Sequence, residues 1–145
     1  MAATCIVKQT FSELKIETNG RGFYEFTDEV ERELARAKLY NGLCTIQVRH
    51  TSASLLIQEN ADPDVRVDLE AFMTRLVPDG DRLFIHTAEG PDDMPAHVRS
   101  ALTCVNLSVP FQNARLGLGT WQGIYLWEHR RHPHRRTINL HFMGE

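Results

Sequence analysis

The stretch LCTIQVRHTSASLLIQENADPDVRVDLEAFMTRLVPDG, residues 43–80, decides the fold. In residues 43–50 the side chains of Cys44, Ile46, Val48 and His50 share one face, the period-two pattern of a half-buried strand. A second short strand follows around Leu55, Leu56 and Ile57, with no helical pattern between the two. Asp62 and Pro63 then start a helix. The Asp carboxylate can accept from the free N–H groups of the first turn, and Pro has the helical φ already set. Val65, Leu69, Phe72, Met73 and Leu76 keep helical spacing until Pro78, Asp79 and Gly80 turn the chain.

The flanks extend this pattern. Residues 4–17 alternate loosely around Phe11, Leu14 and Ile16 and read as strand. Thr27 opens a helix with Asp28 and Glu29 in the first turn, where carboxylates suit the helix dipole. Phe26, Val30, Leu34 and Ala37 make its buried stripe, and Asn41 with Gly42 ends it. Downstream, residues 82–86 read as a short strand and residues 90–94 as a polar loop. Pro95 opens a third helix running to about Cys104, and residues 107–111 are again a strand. Residues 116–127 and 137–142 read as a β-hairpin or meander. Helices in the middle with strands on both sides predict an α+β domain of about three helices and a largely antiparallel sheet.

A chain of 145 residues suits one domain, and 42% hydrophobic with 24% charged residues is ordinary globular composition. A net charge of −3 excludes a general phosphate-binding surface of the nucleic-acid kind. No apolar run approaches the ~20 residues that span a bilayer. The start MAATCIVKQTF has neither the basic n-region nor the apolar segment of a secretory signal, so a cytoplasmic protein is expected. Cys5, Cys44 and Cys104 are odd in number and lack CxxC spacing, which argues against disulfides or a Cys-rich zinc site and for a reducing compartment. All three read as filler, with Cys44 a small buried hydrophobe beside Ile46 and Val48.

Candidate chemistry gathers at element ends. Of seven histidines, His50 ends a strand before Thr51, His86 ends a strand before Thr87, and His97 lies in the first turn of the helix opened by Pro95. The positive end of that helix favours a neutral imidazole at His97, the form that binds metal or accepts a proton. Three histidines from separate segments could supply an open zinc site; without an HxH or HExxH pattern, spacing alone favours histidines that cap loops. Carboxylates lie nearby: Glu59 and Asp62 follow the His50 strand, and Asp92 and Asp93 precede His97. One of them could be a general base or a Mg²⁺ ligand, although Asp62 is explained as an N-cap and Asp92 and Asp93 suit a loop. Glu128 shares strand parity with Ile124 and Leu126, so it must be paired or functional. Glycines 117, 119 and 123 around Trp121 suggest close backbone approach. The four arginines of residues 130–136 read as a basic hairpin tip, able to hold a phosphate or to be a solvated turn.

These residues carry a resemblance. His50-Thr51-Ser52-Ala53-Ser54-Leu55, Asn60-Ala61-Asp62, Pro95-Ala96-His97, Ser108-Val109-Pro110 and Gly119-Thr120-Trp121-Gln122-Gly123-Ile124 together resemble the YjbQ-like family, often labelled secondary thiamine-phosphate synthase. The resemblance covers nearly the whole chain. It implies a compact, single-domain α+β sandwich assembling as a homotrimer, with a polar pocket at the subunit boundary. It also implies His50, His86 and His97 as ligands of a divalent metal, zinc or magnesium, with no organic cofactor. Glu59, Asp93 and Glu128 are implied as the catalytic carboxylates. Asn60, Gln122 and Arg136 are implied as contacts to a phosphorylated small molecule. The implied activity joins a pyrimidine pyrophosphate to a thiazole phosphate; a non-catalytic metabolite- or metal-binding trimer is the alternative. Neither nucleic acid nor membrane is an expected partner. The segment after Glu128 departs from the family's Asp-Gly-Pro-Arg-like turn.

Overall fold

A computed structural model describes residues 6–145; the reading of Cys5 falls outside them. The elements run β1 (Lys8–Thr18), β2 (Gly22–Glu25), α1 (Thr27–Ala37), β3 (Gly42–Val48), β4 (Ala53–Glu59), α2 (Pro63–Leu76), α3 (Asp93–Leu102), β5 (Asn106–Gln112), β6 (Arg115–Leu116), β7 (Gln122–Glu128) and β8 (His134–Gly144). They form two antiparallel sheets, ordered β1-β8-β3-β5-β6 and β2-β7-β4. The protein is α+β with three helices among the described residues, as the sequence predicts.

Strand parity builds the core. Cys44, Ile46 and Val48 of β3 face the same interior as Ile138, Leu140 and Phe142 of β8. Leu55 of β4, with Ile124 and Leu126 of β7, meets them from the second sheet, and Phe26, Val30 and Leu34 of α1 complete the cluster. Full burial of each large aliphatic or aromatic side chain contributes about 1.5–3 kcal/mol. Burial pushes the Cys44 thiol up to about 12, consistent with a packing role. In α1 the predicted start at Thr27 holds, and Lys38 in the left-handed conformation ends the helix. Asp62 caps α2 by accepting from the Asp64 N–H at 2.9 Å. α2 buries only Met73, however; Phe72 and Leu76 of its predicted stripe are exposed.

Further readings change, the end of α1 among them, which falls at Lys38 and not at Asn41 and Gly42. β7 and β8 are not a hairpin: β7 lies between β2 and β4, and β8 between β1 and β3 in the other sheet. β7 is buried at every position from Gly123 to Glu128, so its sequence shows no alternation to indicate a partner. Residues 130–136 therefore cross between sheets instead of forming a hairpin tip, and Arg131, His132, Pro133 and Arg135 are exposed along the crossing. Residues 82–86 form no strand. Asp81 instead turns the chain, its carboxylate accepting from Leu83 N–H at 2.9 Å and its carbonyl from Phe84 N–H at 3.2 Å. β2 escapes sequence reading because four residues are too few to set a period. α3 begins at Asp93, ahead of Pro95, which sits in the first turn where a missing N–H costs nothing. No helix among the described residues is long and apolar enough to cross a membrane.

Candidate functional site

The site is built at the start of α3. Asp93 is 3% exposed, and its two oxygens face opposite ways. Oδ1 accepts from Arg130 Nη1 at 2.6 Å, while Oδ2 lies 2.8 Å from His86 Nε2 and 3.5 Å from His97 Nε2. His97 stands one helical turn beyond Asp93, the spacing that stacks two side chains on one helix face. His86 arrives from the 81–90 loop, with its ring centroid 5.6 Å from that of His97. The ligating atoms of His86, Asp93 and His97 all lie within 4.8 Å of one another.

One hydrogen bond fixes the chemistry of His97. Its Nδ1 is 2.9 Å from the Thr51 carbonyl, which can only accept, so the proton sits on Nδ1. In the neutral ring Nε2 then carries a lone pair, directed at the Asp93 and His86 side. A backbone carbonyl holding the outer ring nitrogen is the usual support of a metal-binding imidazole. Two nitrogens and one carboxylate oxygen form a borderline-soft donor set that suits zinc better than magnesium, which prefers oxygen alone. His86 and His97 keep partial exposure, so solvent or ligand can approach.

Arg130 braces this site, and sequence reading did not single it out. Its Nε donates to Asp92 Oδ2 at 3.0 Å, Nη1 to Asp93, and Nη2 to the Glu89 carbonyl at 2.9 Å. Burial alone would raise the Asp92 carboxyl pKa, but the Arg131 N–H and the Arg130 guanidinium hold it below the usual value. Asp92 is thus neither base nor solvated loop residue, since an arginine consumes it. The only sequence signal was the adjacency of Asp92 to Asp93, whose partner lies 37 positions away.

The other expected site residues lie elsewhere. His50 opens onto a cleft of about 450 Å³ shared with His97, but its Nε2 accepts from the Thr137 N–H at 2.8 Å and is not in the three-residue cluster. Burial, then the Arg136 charge, lowers the His50 pKa. Glu128 is fully buried and accepts from Arg136, from the Arg130 N–H at 3.0 Å and from Thr18 Oγ1 at 2.9 Å. Burial would raise its pKa, but Arg136 and the Arg130 N–H lower it. Arg136, 3% exposed, is spent on Glu128 and Ser52. Of the other arginines, Arg131 pairs with Asp79 and Arg135 with Glu17, so the basic run is not a free cationic patch.

Glu59, Asn60 and Gln122 lie at the far end of the second sheet. Ala53 pairs with Glu128 and Glu59 with Gln122, six residues along β4, about 20 Å. There Asn60 Nδ2 donates to Glu25 Oε1 at 3.2 Å and Gln122 Oε1 accepts from the Gly119 N–H at 2.8 Å. Trp121 beside them is 63% exposed. The close approaches expected of Gly117 and Gly123 occur within the chain, against the Pro110 carbonyl and the Glu25 carboxylate.

Comparison with known proteins agrees with this architecture. Residues 12–145 match the family described as UPF0047 protein YjbQ-like. A UPF0047 protein of Synechocystis is 52% identical over 132 residues, covering 91% of this chain and 90% of the relative. A protein of Aeropyrum pernix superposes with a TM-score of 0.85 at 29% identity, covering 94% of this chain and 99% of that one. A YbjQ-like protein of Sulfolobus solfataricus shares the fold, with a TM-score of 0.88 at 23% identity over 97% of this chain and all of that one. With a family match over nearly its whole length and a relative sharing half its residues, the chain belongs to the YjbQ-like UPF0047 family.

Proposed function

We propose that the protein is a small-molecule enzyme of the transferase type, acting on a phosphorylated substrate at a divalent-metal site made by His86, Asp93 and His97. The observation that carries the reading is the orientation of His97, whose Nδ1–H is held by Thr51 while Nε2 faces Asp93 and His86. A zinc-class ion bound there would supply positive charge for phosphate oxygens. The chain's own part is to hold the three ligands, with Arg130 fixing Asp93 from behind. Thiamine-phosphate synthase-like joining of a pyrimidine pyrophosphate to a thiazole phosphate is the specific form of this reading. Glu59, Asn60 and Gln122 enter such a site only from a neighbouring copy, so the reading includes a homotrimer with the pocket at the subunit boundary. It also places the protein in the cytoplasm, where the free thiols Cys44 and Cys104 stay reduced.

The test is elemental analysis of protein purified without a metal-affinity tag. About one zinc-class ion per chain is expected, lost in His86→Ala and in His97→Ala. Wild-type protein that neither carries nor takes up zinc or cobalt overturns the reading. A second reading, a non-catalytic metabolite- or metal-binding homotrimer, is favoured by the burial of the Ser54–His129 pair. These two are 2.8 Å apart and closed to solvent, so they cannot serve as nucleophile and base. Turnover that disappears in His97→Ala supports the enzyme; ligand binding without turnover supports the second reading.

A further inference from the structure

The 81–90 loop carries more than His86. Its neck is tied by the Gly80 N–H to the Pro91 carbonyl at 3.0 Å, so the loop is a closed excursion with a fixed base. Between it and the start of α3 lies a recess of about 370 Å³, lined by Arg82, His86 and Thr87 with apolar walls from Phe84, Met94 and Pro95. Arg82 makes no hydrogen bond or ion pair among the described residues. The arginines of the 130–136 crossover are all committed to carboxylates. The carboxylate in the recess, Asp81, is turned back to the Leu83 N–H.

We propose that Arg82 grips the anionic group of the ligand, a phosphate-class oxyanion, while the ligand's other end reaches the His86–Asp93–His97 cluster. This takes the metal cluster from the reading above and assigns the anion-binding role, expected of Arg136, to a different residue. A guanidinium offers a planar fork of donors that matches phosphate oxygens and keeps its charge at any working pH. An unpaired arginine gives up no existing partner when the anion arrives. Arg82 is exposed, so its long side chain can swing onto an arriving anion without disturbing the core. Arg82 and His86 are four residues apart, so their backbones lie at most about 14 Å from each other. That span fits a small phosphorylated molecule.

The test is calorimetric titration of the intact protein with inorganic phosphate. Wild type, Arg82→Gln and Arg115→Gln, which removes the same charge from β6, are compared after zinc loading and after chelator treatment. Phosphate affinity is expected to fall about tenfold or more in Arg82→Gln, with zinc affinity unchanged and Arg115→Gln like wild type. A smaller loss, an equal loss in Arg115→Gln, or no phosphate binding by wild type in either state overturns the proposal. If zinc does not bind but phosphate binding still depends on Arg82, the metal reading falls and the arginine assignment stands. If zinc binds and phosphate is indifferent to Arg82, the reverse holds.

Discussion

At the scale of single residues, His129 sets the acid limit of the fold. It is fully buried, with Nε2 2.8 Å from Ser54 Oγ and Nδ1 without a hydrogen-bond partner among the described residues. Burial, then the positive charges of Arg99, Arg21 and Arg136, pushes its pKa down to about 3. The unfolded value is about 6.5, so below that pH the unfolded chain takes up a proton that the folded one refuses. Stability is complete above about pH 6.5 and is lost as pH falls towards 3, with a slope approaching about 1.4 kcal/mol per pH unit. Glu128 and Asp92, both depressed, add their loss only below about pH 4.5. Urea midpoints measured from pH 7.5 to 4.5 should fall steeply in wild type and more shallowly in His129→Gln, which keeps only the smaller share from His50. Parallel curves would refute the assignment. The sequence displayed His97 as a candidate because it stands in the first turn of a helix and Asp93 because it precedes His97, whereas His86 was named as the end of a strand that does not form. It could not show that Arg136 and Glu128 neutralise each other, since eight positions of sequence separate them and only the inter-sheet crossing brings them together.

At the scale of elements, the pairing of β3 with β8 depends on an absent side chain. A Cβ on Gly42 would collide with the Met143 carbonyl and the Gly144 Cα, backbone atoms that cannot rotate aside. Gly42→Ala should therefore cost about 1–3 kcal/mol in urea unfolding, as overpacking does. Gly119→Ala, which meets only the flexible Gln122 side chain, should stay within about 0.5 kcal/mol. Comparable losses would mean the collision is relieved. The strands around Gly42 were legible individually: parity in β3 names the buried face of Cys44, Ile46 and Val48 correctly. Their partners were not legible, because alternation records which face is buried and carries nothing about which strand lies alongside. The same limit produced the false hairpin of β7 and β8.

At the scale of the whole molecule, β8 is the centre of gravity. It pairs along its full length with β1, as in Phe11 with His141, and on its other edge with β3. β1 and β3 meet only through it. Contacts between such distant parts of a chain close large loops before they return any energy, which slows folding. The order of synthesis sharpens the point. β8 leaves the ribosome after every strand it joins, so β1 waits unpaired while the rest of the chain emerges, an open edge available to other chains. A chain stopped at Pro133 should lack the five-stranded sheet, give the circular dichroism of a largely unfolded polypeptide and be digested rapidly by protease. A truncated chain with native-like protection would show that sheet formation does not require β8. For the intact protein the consequence is vectorial: nascent chains pass through an interval in which the edge of β1 stands open, and that interval ends only when residues 134–144 arrive.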